Sequence, residues 1–312
     1  MIELTTTRAN HLVDPTVHVW AWQIPIYLFL GGLVAGLMVL AGWMLWTERH
    51  RRTESAFPAF APLALALLSA GMLALFLDLE HKLFVWRLYT TFEPASPMSW
   101  GAWILLLVYP VLALLLLLRP VGWLAPFVPK PLSRLGESLD ASPRARRALA
   151  TAAIAGGVAL GIYTGILLSS LGARPLWASG LLGPLFLTSG LSSAAALAHL
   201  LAHDEEEQRL LGRADAGFLG GELALLVLFL IGLTTATRVH AAAAGLLLGG
   251  PYTAPFWVGV VGLGIVVPLV VAPIAQRRGI HTVLPSLFVL AGGLALRFVM
   301  VFAGQASHWS PF

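Results

Sequence analysis

Residues 94–118 read PASPMSWGAWILLLVYPVLALLLLL and contain no Asp, Glu, Lys or Arg. The hydrocarbon core of a bilayer is about 30 Å thick, and a helix of roughly 20 apolar residues crosses it. Four further charge-free windows reach that length, at 15–47, 55–77, 148–173 and 175–202. The protein is therefore predicted to cross a membrane several times.

The composition agrees with a lipid environment. Hydrophobic residues make up 58% of the 312 residues and charged residues only 11%, whereas a soluble domain carries about a quarter charged residues. Residues 1–10 contain one Arg and one Glu. We interpret them as a short tail before an uncleaved first helix, and not as a signal peptide.

The apolar windows between charged residues or Pro/Gly breaks predict an all-α protein with eight transmembrane helices in a single domain. A long window at 239–276 exceeds one ordinary span, and Gly249-Gly250-Pro251 indicates a bend there, so one helix is assigned from about Ala254. The predicted helices lie near 22–46, 58–77, 98–118, 148–171, 179–202, 216–237, 254–275 and 282–304.

The positive charges predict the orientation. Of the 19 Lys and Arg residues, thirteen lie in the loops after helices one, three, five and seven, five lie on the side of the two termini, and Arg297 lies within a helix. Cytoplasmic loops carry the excess of Lys and Arg. Both termini are thus expected outside the inner membrane, and the net charge of +4 needs no nucleic-acid partner.

The absence of Cys limits the chemistry of this protein. Without thiolates it can form no disulfide and can bind neither a structural zinc nor an iron–sulfur cluster through Cys. Of the nine His residues, only His199 lies well within a predicted span, so a haem held between two His on facing helices is not expected. Any redox centre of this kind is expected in a partner.

Two charged residues interrupt predicted spans and are functional candidates for that reason, namely Glu222 and Arg297. Glu222 is expected to contact water from the cytoplasmic side, and Arg297 to reach Asp78 or a carbonyl near the outer end. Their depths predict no direct pairing. The alternatives are that both are structural polar groups, or that they bind a substrate or ion in a transporter or channel.

Other polar residues are weaker candidates for a functional role. His18, the run Asp78-Leu79-Glu80-His81-Lys82, and Arg238 with His240 lie at the outer ends of predicted helices, where they could hold a polar headgroup. Tyr163 lies in helix four and, taken alone, indicates a core or interfacial tyrosine. The acidic run 204–207 is interpreted as a solvated loop face.

Several segments together resemble the NrfD family of polysulfide-reductase membrane subunits. They occur in the family's order and span nearly the whole sequence. These segments are HVWAWQIPIYLFLGGLVAG at 18–36, Asp78-Leu79 with Phe84, Trp86 and Arg87, SPMSWGAW at 96–103, Tyr163-Thr164-Gly165 with Arg174-Pro175-Leu176-Trp177, Leu296-Arg297, and Ala303-Gly304-Gln305.

The resemblance implies a membrane subunit that binds quinone or quinol, either menaquinone or ubiquinone, in a respiratory oxidoreductase. It also implies two four-helix bundles without haem, a ferredoxin-like four-cluster iron–sulfur partner, and often a molybdopterin catalytic subunit. Proton translocation is a further possibility that it raises.

The resemblance also implies roles for individual residues. His18 and Tyr163 match the family's contacts to the quinone headgroup, with Asp14 and Asn10 as nearby polar candidates. Asp78, Glu222 and Arg297 are implied in proton transfer. Where the family commonly has a Gly-Arg-Pro-like turn, this protein has Glu80-His81-Lys82, which adds titratable groups near the outer surface.

Overall fold

The computed structural model describes residues 20–52, 54–277 and 282–309. Its long helices confirm the all-α prediction, since eight of them are long and apolar enough to cross a membrane. These eight are α1 (Gln23–Trp46), α2 (Phe57–Asp78), α4 (Pro97–Leu118), α6 (Pro143–Ser169), α7 (Leu182–Leu201), α8 (Glu205–Thr235), α10 (Pro255–Val266, π-helical, continuing as Val267–Arg277) and α11 (Leu284–Gln305).

Among the described residues, three shorter α-helices connect the spans: α3 (Arg87–Thr90), α5 (Lys130–Ala141) and α9 (Arg238–Leu248). None of them was predicted from hydropathy. Helix α9 ends just before Gly249-Gly250-Pro251, so the predicted bend in the long apolar window is present. The apolar window therefore contains one short helix and one span.

The start of α8 corrects the interpretation of the acidic run. Asp204 is the N-cap, and its carboxylate accepts hydrogen bonds from the backbone N–H groups of Glu206 and Glu207 at 3.3 and 3.2 Å. Acidic residues are favourable in a first helical turn because they face the positive end of the helix dipole. Glu207 is only 2% exposed and accepts a hydrogen bond from the Ala56 N–H at 3.0 Å. The run thus begins a helix and joins it to α2.

The spans form two four-helix bundles. In the first bundle, α1 packs on α2 and α6, and α4 packs on α2 and α6. In the second, α7 packs on α8 and α11, and α10 packs on α8 and α11. The bundles meet where α1 and α6 contact α7 and where α1 contacts α11.

Small residues allow this central contact. A Cβ atom on Gly36 of α1 would overlap the carbonyl oxygen of Gly190 on α7, and a Cβ on Gly190 would overlap the carbonyl of Gly32. The two backbones are therefore in direct contact, as is common where small residues face each other in membrane helices.

The two ends of the molecule contain different polar contacts. At one end, called here the terminal end, Trp20 lies beside Gln305, and Arg174 donates to the Ser307 carbonyl at 2.8 Å. At the other, called the basic end, the connection after α1 contacts α5 and the start of α8.

Ion pairs join these elements of the basic end. Arg52 pairs with Glu206 at 2.8 Å, and the buried His50 ring pairs with Asp140 at 3.1 Å. Burial alone would raise the pKa of Asp140, but the hydrogen bonds and charges of His50 and Arg51 outweigh it and hold the pKa below its ordinary value.

Candidate functional site

A cavity of about 440 Å³ lies in the first bundle, towards the terminal end. Its walls come from the second half of α2, the first half of α4, helix α3 and facing positions of α1 and α6. The walls are mostly aliphatic, but they include four of the five tyrosines of the protein: Tyr27, Tyr89, Tyr109 and Tyr163. We call this space the tyrosine cavity.

Tyr163 is the sequence-predicted residue that the structure places in this cavity. It lies on α6 with its ring against Gly101 of α4. Within the described residues, its hydroxyl has no hydrogen-bond partner. A buried phenol normally has one, so the hydroxyl is available to a molecule in the cavity.

Two other tyrosines of the cavity wall, Tyr27 on α1 and Tyr89 on α3, have hydroxyls without a hydrogen-bond partner in the described part of the protein. Burial raises the pKa of Tyr89 above its ordinary value, and the neighbouring Tyr109 adds to the shift. The Tyr89 phenol is therefore neutral and can donate a hydrogen bond. Tyr109 contacts the Ser69 hydroxyl at 3.3 Å.

Hydropathy did not single out Tyr27, Tyr89 or Tyr109. The sequence contains only five tyrosines, and four of them lie in or beside the first four predicted spans. This clustering was the available sign that they share a site.

Asp78 is close to the cavity but is not part of its wall. It is the last residue of α2, partly exposed, and the next residue, Leu79, contributes to the lining. His18 and Asp14, the other predicted headgroup contacts, lie outside the described residues. Trp20, two residues after His18, is held by two hydrogen bonds to Gln305, and its ring packs on Trp177 at 5.4 Å.

The second predicted group is centred on Arg297 in α11. Arg297 is 1% exposed, and its guanidinium donates to the Ser189 hydroxyl at 2.9 Å and to the Phe186 carbonyl at 2.8 Å. The same group lies 4.2 Å from the centre of the Phe186 ring. Of the two expected partners, Arg297 thus has the main-chain carbonyl; the interaction with Asp78 is not present among the described contacts.

Glu222 lies next to this group. It is 3% exposed, and its carboxylate accepts a hydrogen bond from the Ser192 hydroxyl at 3.1 Å and interacts with Ser189 and Arg297. Within the described residues no direct ion pair joins Glu222 to Arg297, although both side chains reach Ser189 and so lie closer together than their predicted depths indicated. Instead, the Ser189 hydroxyl lies between the two charges.

A second space, called the polar cavity, lies at the basic end of the second bundle and has a volume of about 470 Å³. His199, Gln208 and Asp215 line it. One carboxylate oxygen of Asp215 is buried and has no partner among the described residues. Asp215 precedes Glu222 by seven residues, two helical turns, so both carboxylates lie on the same face of α8.

Sequence reasoning missed Asp215 because the helix was predicted to begin at 216. The i, i+7 spacing to Glu222 was the available signal. A series of polar side chains runs from the polar cavity into the middle of the second bundle. It consists of Asp215, Glu222, Ser192, Ser189 and Arg297.

Comparison with known proteins places this protein in a family. The family model described as "Polysulphide reductase, NrfD" matches residues 10–307. Protein NrfD of Escherichia coli (strain K12) is 35% identical over 97% of this sequence and 99% of that protein. A polysulfide reductase component of Wolinella succinogenes is 31% identical over 92% of this sequence and 94% of its own. A selenate reductase component of Mesobacillus selenatarsenatis is 26% identical over 90% of this sequence and 73% of its own.

The helical architecture, the order of the motifs and the match over nearly the full length agree, and the protein belongs to the NrfD/polysulphide reductase family of multi-pass membrane proteins.

Proposed function

We propose that this protein is the membrane subunit of a respiratory oxidoreductase and that it binds a quinone or quinol, menaquinone or ubiquinone, in the tyrosine cavity. The observation that carries the proposal is an apolar cavity lined by three tyrosines whose hydroxyls have no hydrogen-bond partner in the described part of the protein. Relatives named as components of polysulfide, selenate and tetrathionate reductases support a role in such a complex.

The cavity fits the chemistry of a quinone. A quinone headgroup is a flat apolar ring with two carbonyl oxygens, and it supplies the reversible uptake of two electrons and two protons. The aliphatic walls suit the ring, and the hydroxyls of Tyr27, Tyr89 and Tyr163 are donors for the carbonyl oxygens. Each hydroxyl can also hold or pass a proton at its oxygen atom.

The rim of the cavity fits an isoprenoid tail. Leu73 and Phe76 of α2 and Met98 of α4 line the cavity, yet Leu73 is 57% and Met98 50% exposed. In a membrane these side chains contact acyl chains. We therefore propose that the isoprenoid tail of a long-chain quinone passes between these side chains of α2 and α4 into the bilayer.

Electron transfer to or from the quinone requires a partner subunit that carries redox centres. With no Cys in the sequence, we propose that a ferredoxin-like four-cluster iron–sulfur subunit docks at the terminal end, close to the cavity, and that a molybdopterin subunit carries the substrate chemistry. The distribution of Lys and Arg supports placing the terminal end on the periplasmic side of the inner membrane. In this arrangement His18 and Asp14 contribute to headgroup binding, and Asp78 receives protons near the outer surface.

The polar series of the second bundle supports a proton-transfer role. Hydroxyl and carboxylate groups at hydrogen-bonding distance, such as Ser192 and Glu222, can relay protons, and ionisable residues inside a membrane are costly and mark functional routes. We propose that Asp215, Glu222 and Arg297 take part in a route from the basic end. A transporter without redox chemistry would use the same charges but would need no tyrosine cavity.

The decisive experiment is quinol-linked turnover by the complete purified complex. Tyr163→Phe removes one hydroxyl and keeps the ring, so we expect a loss of about tenfold in kcat/KM, the value of one hydrogen bond. His18→Ala should abolish turnover without preventing assembly. Tyr252→Phe, the tyrosine outside the cavity, is the control. A complex in which Tyr163→Phe and Tyr252→Phe both behave as wild type contradicts the proposed site.

A further inference from the structure

Gly101 and Tyr163 are in unusually close contact. A Cβ atom on Gly101 would overlap the Cζ and hydroxyl oxygen of Tyr163 and would lie 2.5 Å from its Cε1. A Cβ approaching within about 3 Å of a neighbouring heavy atom overlaps it, and interiors packed at crystal density have no room to absorb the overlap. The phenol therefore occupies the volume that any side chain at position 101 would fill.

The helix that carries Tyr163 cannot move away to make room. On α6, a Cβ at Gly157 would meet the Ala35 carbonyl of α1 at 2.6 Å, and one at Gly165 would overlap the Leu182 carbonyl of α7. The backbone of α6 is thus already in contact with two neighbouring helices, one on each side of Tyr163 along the sequence. If position 101 gains a methyl group and α4 keeps its position, the side chain of Tyr163 has to move.

The space that can receive the displaced phenol is the tyrosine cavity. Gly101 and Tyr163 both line it, together with Tyr27 and Tyr89. A shift of the Tyr163 ring into this space changes two quantities together: the position of its hydroxyl relative to those of Tyr27 and Tyr89, and the width left for a flat ring.

We propose that Gly101 is a positioning residue, which seats the Tyr163 phenol and so sets both the hydrogen-bonding geometry and the ring size that the cavity accepts. The proposal rests on the proposed function, because it takes the cavity as a quinone site. It gives α4 a role in selecting the ring size of the ligand. This role depends on the absence of a side chain at position 101 and not on any side chain of the cavity wall.

The test compares two ligand sizes. In the intact complex, Gly101→Ala should weaken binding of a short-chain naphthoquinol, which has two fused rings, by about tenfold, the value of one hydrogen bond lost from the ligand. Binding of a short-chain benzoquinol, with one ring, should fall less. Binding is measured by equilibrium titration as well as by KM and kcat, and the naphthoquinol effect should be mainly on KM. Gly122→Ala, where a Cβ meets no atom within 4 Å, is the matched control.

A second variant separates positioning from general damage. In a Tyr163→Leu background the phenol is gone, so adding Gly101→Ala should change neither affinity by more than about twofold, as expected when one mutation acts through the other. If Gly101→Ala alone does not assemble, assembly of the Gly101→Ala/Tyr163→Leu double variant supports the same conclusion. Failure of both to assemble overturns it.

The outcomes distinguish this proposal from the proposed function. If the wild-type complex binds neither quinol, the proposed function fails and this inference fails with it. If the wild type binds quinol but Gly101→Ala binds both ring sizes as the wild type does, only the role of Gly101 is overturned. An equal loss in the Tyr163→Leu background overturns it as well.

Discussion

Gln305 hydrogen-bonds to both backbone polar groups of Trp20. Its Oε1 accepts from the Trp20 N–H at 3.0 Å, and its Nε2 donates to the Trp20 carbonyl at 2.9 Å. The two residues are 285 positions apart in sequence. The last residue of α11 therefore fixes the backbone just before α1, on the segment that carries the predicted quinone contact His18.

Replacing Gln305 by Leu should loosen this attachment. Both backbone groups of Trp20 lose their partner in a partly buried site, which costs about 1–3 kcal/mol for each unsatisfied group. We expect a lower melting temperature of the complex and a reduced quinol-linked turnover. Gln305→Glu keeps an acceptor for the N–H but has no donor for the carbonyl, so its loss should be intermediate. Equal melting temperatures for wild type and Gln305→Leu would contradict the assigned role.

Replacing Tyr89 by Phe should weaken quinol binding more than it slows turnover at saturation. The neutral phenol can donate one hydrogen bond to the ligand, and the loss of that bond, about 1.4 kcal/mol, corresponds to a rise in KM of about tenfold. Steady-state kinetics on the complex measure this directly. Thr90→Val, the neighbouring residue outside the cavity wall, should leave KM unchanged.

Replacing Glu222 by Gln should lower proton translocation and leave electron transfer unchanged. The neutral amide can still interact with Ser192, so the packing is kept, but it cannot bind and release a proton. In proteoliposomes we expect quinol-linked turnover near the wild-type value with a lower number of protons moved per electron. Glu54→Gln, an exposed acidic residue at the same end, is the control. An unchanged proton stoichiometry would exclude Glu222 from the route.

Replacing Asp140 by Asn should destabilise the basic end in a pH-dependent way. The pKa of Asp140 is lowered below its ordinary value of 3.8, so its ionised form stabilises the fold above that pH, and the contribution is lost as the pH falls through the folded-state pKa. The melting temperature of Asp140→Asn should be lower than that of wild type at neutral pH, and the gap should begin to shrink near pH 3.8 and close below the lowered folded-state pKa. Glu137→Gln, an exposed residue of the same helix, should show no such gap.

The long spans could be predicted because each depends on a local property. A charge-free window such as 94–118 is apolar enough to cross a bilayer whatever surrounds it, and the helix observed there, Pro97–Leu118, differs from the predicted one by a single residue at its start. The short helices could not be predicted in this way. Helix α5 mixes charged and apolar residues, and it is ordered by its packing on α4 and α6.

The candidate sites show the same division. Glu222 and Arg297 stand out in sequence because charges are rare inside apolar windows. Their link through Ser189 could not be predicted, because it depends on how α7, α8 and α11 are arranged around one another. Tyr163 was found through the family resemblance, whereas Tyr27 and Tyr89 become relevant only when the folding of the first bundle brings them to one cavity.

The backbone contact between Gly36 and Gly190 limits how the molecule can work. At this point only the Ala194 methyl accompanies the backbone contact between α1 and α7, so one half can rock against the other only by turning about this contact or by breaking it. Alternating-access carriers depend on such rocking. We therefore expect the two bundles to keep a fixed distance at this contact while charges and hydrogen bonds within them change.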